Sequence, residues 1–307
     1  MKNTVKYIVL VLLTLAVFVV CVCVGSVGLD TDIITSLRLP RVICVALLGA
    51  ALSICGVAMQ TLLKNPLADG STLGVSSGAS IGAVAAMILG IPFVFPFAVI
   101  AAFLSLLLIL ALTRRIDPGF NTNTIILVGV VFAMFASSII SLLIALFPQN
   151  ALTITFWTFG SVVGVDYYKC AILAVVLCLG FIVFMARANE LNIMSIGEEN
   201  ASHIGVNVGI TKIIILVCVA VLIGVSVAIA GTIAFVGLIV PHICRFIVGA
   251  NAKKLLPASL FYGSCFLMLA DLLSRTIASP IELPIGVVTS VIGAVVFMFV
   301  FFRQRKK

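Results

Sequence analysis

From Val42 to Leu63 the chain runs 22 residues without a charged side chain, and about 20 apolar residues in a helix cross the hydrocarbon core of a bilayer. The run is punctuated on both sides. Arg38-Leu-Pro-Arg41 precedes it, and Lys64-Asn65-Pro66 closes it. A ladder of small residues then begins, with Gly74, Gly78, Gly82, Ala86 and Gly90 spaced four apart. Charge, helix breaker, membrane-length span and small-residue face follow in a fixed order. That order points to a membrane-embedded chain with both faces of the membrane in use.

The rest of the chain extends the argument. It is 63% hydrophobic and 9% charged, with a mean hydropathy of +1.38. Soluble domains are about 45–50% apolar and about 25% charged, so this chain has too few polar groups to cover a water-facing surface. The reading is an all-α polytopic bundle forming one transmembrane domain over residues 1–307. Ten candidate spans stand out: Tyr7–Leu29, Val42–Leu63, Thr72–Leu89, Phe93–Leu112, Thr124–Phe147, Cys170–Ala186, Thr211–Ile229, Ile233–Val248, Pro257–Ile277 and Pro284–Phe302. The third and eighth are short or glycine-rich. Tyr7–Leu29 is too long for a signal-peptide core, and no small-residue cleavage site closes it.

Basic residues test the topology, because cytoplasmic loops carry an excess of Lys and Arg. With the N-terminus inside and ten crossings, fourteen of the 18 basic residues fall inside. Only Arg38, Arg41, Lys169 and Arg275 fall outside. A nine-span reading reverses the second half and spoils the asymmetry. Both termini are therefore expected in the cytoplasm. The net charge of +8 resides at the ends of apolar runs and not in an aromatic-interleaved patch, which excludes a nucleic-acid surface.

Several chemistries find no support. The nine cysteines lie in or beside apolar runs and form no C-x-x-C pair, so they read as small core residues, with no metal site and no cofactor implied. There is no G-x-x-x-x-G-K-[ST], H-E-x-x-H or G-x-S-x-G motif, so no catalytic residue is assigned and any ATP hydrolysis belongs to another subunit. Ionisable residues inside spans are sparse. His242 follows Pro241 and is expected to cap the helix break there. Asp271 and Arg275, four apart, can pair on one helix face. An ion-coupled carrier usually needs more buried acids or histidines than this. The small-residue ladder is explained by close helix packing, with a pathway lining as the alternative.

Two loops exceed ordinary connections. Asn150–Lys169 carries Trp157, Tyr167 and Tyr168, expected as interfacial anchors near a short surface helix. Ala188–Asn207 is polar, with Glu190, Glu198 and Glu199. Gly197 and Gly205 bracket a short helix, and the spacing of Ile196, Ala201 and Ile204 suggests that it docks on a partner.

Four motifs together resemble the permease subunits of iron-chelate, haem and cobalamin ABC importers, the FecCD-type or type II importer family. They are Arg38-Leu-Pro-Arg41; Gln60 with Asn65-Pro-Leu-Ala68 and Leu73-Gly-Val-Ser-Ser-Gly-Ala79; Gly197-Glu-Glu with His203-Ile-Gly205; and Phe235-Val-Gly-Leu-Ile-Val-Pro-His242 with Arg245 and Glu282-Leu-Pro-Ile-Gly286. The likeness covers nearly the whole chain. It implies a ten-helix type II importer permease fold in a homodimer or pseudo-symmetric heterodimer with a central pathway. It also implies two cytoplasmic ATPase subunits and an extracytoplasmic substrate-binding protein that delivers a metal chelate.

The resemblance assigns residues as well. Arg38, Arg41 and Arg275 match the arginines that engage glutamates of the binding protein. Asn65, Leu67, Thr122 and Asn123 match the cytoplasmic constriction. Ser137, Ser138, Ser141, Thr289 and Ser290 match the pathway lining. Ser195, Gly197, Glu198, Glu199, Ala201 and Gly205 match the segment that couples to the ATPase. Gly231-Thr232 stands where the family often has Gly-Pro. The expectation is an alternating-access importer subunit for a ferric siderophore, haem or cobalamin, with an ion-coupled secondary transporter as the alternative.

Overall fold

The computed structural model describes residues 2–25 and 31–305. The end of the first expected span, residues 26–29, and the basic pair Lys306 and Lys307 lie outside the described residues.

All regular structure among the described residues is helical. In order, α1 (Lys2–Cys23) is followed by a single turn, α2 (Thr31–Ile33), and a π-helical stretch Ile34–Arg38 that runs directly into α3 (Leu39–Leu62). Then come α4 (Val75–Ile88), α5 (Val94–Ile116), α6 (Thr122–Leu146), α7 (Ala151–Thr158) and α8 (Tyr167–Ala186). The second half holds α9 (Ala188–Met194), α10 (Glu198–His203), α11 (Val208–Ala230), α12 (Val236–Val248), α13 (Ala252–Thr276) and α14 (Ile285–Arg305). Seven helical stretches are long and apolar enough to cross a membrane, and three shorter apolar helices, Val75–Ile88, Val236–Val248 and Ile285–Phe299, complete the set. These segments coincide with the ten expected spans, so the short third and eighth are real helices. The remaining helices, α7, α9 and α10, occupy the two long loops.

Several helix starts differ from expectation by a few residues, and three of them have an identifiable setting. Helical structure begins at Thr31, ahead of Val42, because the π-helical stretch Ile34–Arg38 leads directly into α3, with Pro40 at the junction of the two. Helix α6 includes Thr122 and Asn123, and Asn121 caps it by accepting from the Asn123 amide. Helix α13 extends ahead of Pro257, because Asn251 caps it by accepting from the Lys253 amide at 3.0 Å.

The core is built on α3. Of its membrane-length window 83% is buried, against 11% for α1, and α11, α12 and α13 surround it. Small residues make this possible. A Cβ on Gly56 would lie 1.8 Å from the Gly237 carbonyl oxygen of α12, and one on Gly49 would lie 2.2 Å from that of Gly263 on α13. Backbones this close leave no room for a methyl group. Hydroxyls stitch the same seam: Ser53 donates to the Ser259 carbonyl at 2.8 Å, and Ser264 donates to that of Ala46 at 2.8 Å. The ladder on α4 is likewise a packing seam. Cβ atoms on Gly78 and Gly82 would meet Ser105 and the Phe97 carbonyl of α5 at 2.2 and 2.5 Å.

Helix α12 carries Pro241 in its interior. Proline has no N–H, so the Gly237 carbonyl loses its partner four residues on. Gln60 of α3 supplies the substitute: its Nε2 donates to Gly237 O at 3.1 Å and to Leu238 O at 3.0 Å. Its Oε1 accepts a hydrogen bond from Arg245 Nη1. The carbonyls freed by the proline are thus met by a side chain from the neighbouring helix, and His242 meets Phe246 edge-on at 5.3 Å between ring centroids.

Candidate functional site

Polar side chains gather at the two ends of the bundle, named here for Arg41 and Glu198.

At the Arg41 end, Asp271 of α13 is 1% exposed and sits between two guanidinium groups. Arg41 contacts its Oδ1 through Nη2 at 2.9 Å and Nε at 3.0 Å. Arg275, one turn along the same helix, lies 3.0 Å from Oδ2. Arg41 also reaches Glu282 Oε2 at 2.8 Å. The expected Asp271–Arg275 pair is therefore present, and Arg41 and Glu282 extend it. Arg275 Nη2 donates to the Cys21 carbonyl at 3.0 Å, satisfying an orphan acceptor at the end of α1. Arg38 is 6% exposed, with its guanidinium against Gly25. All three arginines and Glu282 line one cavity of about 230 Å³, walled by Ile33, Leu37 and the 162–165 segment. The arginines thus share a recess and do not project as an exposed basic surface.

A strap over residues 158–161 closes beside this recess. Ser161 N donates to Ala230 O at 2.8 Å, and Ile285 N donates to Gly160 O at 3.1 Å. Thr232, standing where a proline is expected from the resemblance, donates its hydroxyl to the Thr158 carbonyl. The departure therefore adds a hydrogen bond that proline cannot make. Trp157 is half-buried on α7, while Tyr168 stays exposed at the start of α8.

At the Glu198 end, segments distant in sequence meet in one cleft of about 490 Å³. Leu63, Lys64, Asn121, Thr122, Asn123 and residues 197–200 line it. The sequence-selected Thr122, Asn123, Gly197, Glu198 and Glu199 are therefore neighbours. Glu198 Oε1 accepts from Thr122 Oγ1 at 2.8 Å, and Oε2 accepts from Lys212 Nζ at 2.7 Å. Lys212 is 1% exposed and donates its second bond to the Phe120 carbonyl at 2.8 Å. Burial pushes the Glu198 carboxyl up. The hydrogen bonds from Lys212 and Thr122 and the charges of Lys212 and Lys64 outweigh that, and they hold it below the ordinary glutamate value. Nearby, Asn65 Oδ1 accepts from the Leu67 amide at 2.9 Å and leaves the Leu67 side chain half-exposed.

Helix α10 is the short helix expected between Gly197 and Gly205. Its apolar residues divide: Ala201 is buried, whereas Ile196 and Ile204 are 75% and 67% exposed. They do not form one buried face. Ser195 ends α9 and donates to Asn192 O at 2.7 Å.

The serines of α6 lie on an exposed face with Leu127, Val131, Met134 and Phe135. Ser138 and Ser141 donate back to Met134 and Ser137 carbonyls at 3.0 Å. On α14, Ser290 is half-buried and donates to Gly286 O at 2.7 Å. Thr289 is fully buried, so it faces the bundle interior and does not belong to an open lining. The hydroxyls of Ser138, Ser141, Thr289 and Ser290 thus spend their single donor within their own helices.

Sequence reasoning missed Lys212 and Phe120, and it quoted Gln60 without a role. Each left a trace. A lysine at the start of an apolar helix calls for a carboxylate, and a proline inside one calls for a foreign donor.

The geometry defines an integral membrane helical bundle with a charged recess at one end and a hydrogen-bonded helical loop at the other. The FecCD transport family model matches residues 7–303, and the chain belongs to that family. It is 45% identical over 293 residues to an uncharacterized ABC transporter permease protein, YvrB, of Bacillus subtilis, covering 92% of this chain and 83% of the relative. It is 39% identical over 274 residues to a probable iron chelatin transport system permease protein of Helicobacter pylori, covering 89% and 83%. Among solved structures, it superimposes with a TM-score of 0.88 at 28% identity, over 96% and 97% of the two chains. That structure is described as an inward-facing conformation of a metal-chelate type ABC transporter.

Proposed function

We propose that the chain is the membrane permease subunit of an ATP-driven importer for a bulky metal chelate. Ferric siderophore and haem stand first, and cobalamin is a third possibility. The observation that carries the proposal is the cleft at the Glu198 end, where Thr122 and Asn123 of the matched gate share walls with Gly197, Glu198 and Glu199 of the coupling segment. In this reading the Glu198 end and both termini are cytoplasmic. ATPase subunits dock on α9 and α10, with the exposed Ile196 and Ile204 as apolar contacts. A second permease copy or a paralogue faces the exposed side of α6, and the chelate passes between them by alternating access past Ser137, Ser138, Ser141 and Ser290. Asn65, Leu67, Thr122 and Asn123 form the inner gate. Self-satisfied hydroxyls suit a pathway that must release its cargo.

The recess at the other end receives a binding-protein carboxylate. Arg38, Arg41 and Arg275 converge there, and guanidinium groups hold carboxylates with geometric specificity. Arg41 and Arg275 hold Asp271, so a change at Arg38 probes the recess with that buried cluster left in place. Arg38→Glu is expected to weaken capture of the binding protein by the purified permease at least tenfold, a loss of about 1.4 kcal/mol, while leaving membrane insertion intact. Unchanged capture refutes this docking assignment.

A further inference from the structure

Thr122 is the first residue of α6 and Glu198 the first of α10. Their side chains are joined at 2.8 Å, although 76 residues separate them. The other carboxylate oxygen is fixed by Lys212, which is itself locked by burial and by the Phe120 carbonyl. The turn leading into α6 is correspondingly stiff. Asp117 accepts from Gly119 N at 2.9 Å, Asn121 N at 3.2 Å and Thr124 Oγ1 at 3.1 Å. Phe120 is held at φ +56°, and Lys64 across the cleft at φ +49°, a conformation costly for large side chains and concentrated at functional sites.

We infer that the Glu198–Thr122 hydrogen bond is the joint that passes displacement of α10 to the inner end of α6, with Lys212 of α11 as its pivot. A polar joint of this kind is rigid while both partners are satisfied and fails when one is removed. Glu198 and Thr122 are positioning residues here, since neither needs to touch cargo. The inference rests on the reading of α10 as the ATPase-docking helix.

The test is hydrogen exchange on the assembled permease–ATPase complex in lipid nanodiscs, with and without a non-hydrolysable ATP analogue. It follows amides in α10 and in the first two turns of α6. Thr122→Val removes the donor hydroxyl at constant shape and leaves the exposed docking surface untouched. In the wild type, nucleotide is expected to alter exchange in both helices. In T122V the α10 response should persist while the α6 response falls about tenfold, the scale of one lost hydrogen bond to a charged group. Thr122→Ser, which keeps the hydroxyl, should restore it. An α6 response that survives in T122V alongside a normal α10 response overturns the joint. A wild-type complex in which α10 itself ignores nucleotide refutes the docking reading instead. If T122V fails to assemble, Thr122→Ala, which also removes the donor hydroxyl, is measured the same way, and an undiminished α6 response there overturns the joint as well.

Discussion

Replacing Gln60 with Leu should destabilise the bundle out of proportion to the size of the change. The side chain is 3% exposed, and Leu is close to it in volume, so little cavity is created. Three hydrogen bonds are lost: two from Nε2 to the Gly237 and Leu238 carbonyls and one from Arg245 to Oε1. Interhelical hydrogen bonds in membrane bundles contribute about 0.6 to 1.7 kcal/mol each. The sum is about 2–5 kcal/mol, and the stranded guanidinium favours the upper half, since an unmade bond to a charged group costs more. Unfolding of the purified protein in mixed micelles by titration with a denaturing detergent reads this directly. The cause can be isolated with Pro241→Ala, which returns an N–H to residue 241 and gives Gly237 O an intrahelical partner. In that background the cost of Q60L should fall by about 1 kcal/mol. A single-variant cost below about 0.5 kcal/mol, or full additivity of the two changes, refutes the argument that Gln60 completes the broken helix.

Three further outcomes are expected. Gly56→Ala, whose methyl would sit 1.8 Å from a backbone oxygen, should cost about 3 kcal/mol or more in the same assay, whereas Gly90→Ala, with φ +66° and open space around it, should cost only about 1–2 kcal/mol of backbone strain. Asp271→Asn leaves Arg41 and Arg275 without their shared buried charge and should cost about 3–5 kcal/mol, read as loss of folded protein in detergent. The Glu198 carboxyl is held below its ordinary value, so its contribution is fully present above the unfolded glutamate value of about 4.3 and is lost as pH falls through the lower folded value; E198Q should flatten that acid-side dependence, and an unchanged pH profile of unfolding refutes the pairing.

Much of the fold was legible because a bilayer imposes length. Each apolar run had to be a helix, because only an intrahelical ladder satisfies the backbone in hydrocarbon. The Asp271–Arg275 pair and the helix between Gly197 and Gly205 were legible because both are local, four residues apart or bracketed by glycine. The rest depended on contacts between distant segments. Nothing in the spacing of Arg41 reveals that it meets Asp271 and Glu282. Nor does the position of Thr122 reveal Glu198. Nor does the sequence reveal that Arg38, Arg41 and Arg275 share one recess, where a buried aspartate and the open end of α1 hold cationic partners. The donor to the carbonyls freed by Pro241 came from another helix, which no local pattern encodes.

The central claim is that this chain moves a metal chelate only with an ATPase beneath it. Proteoliposomes holding the permease with its ATPase, supplied with binding protein and a panel of ferric siderophore, haem and cobalamin, measure this directly. Uptake should require ATP inside the assembly and vanish when the ATPase phosphate-loop lysine is replaced. Uptake by the permease alone, driven by a proton or sodium gradient, would contradict the account.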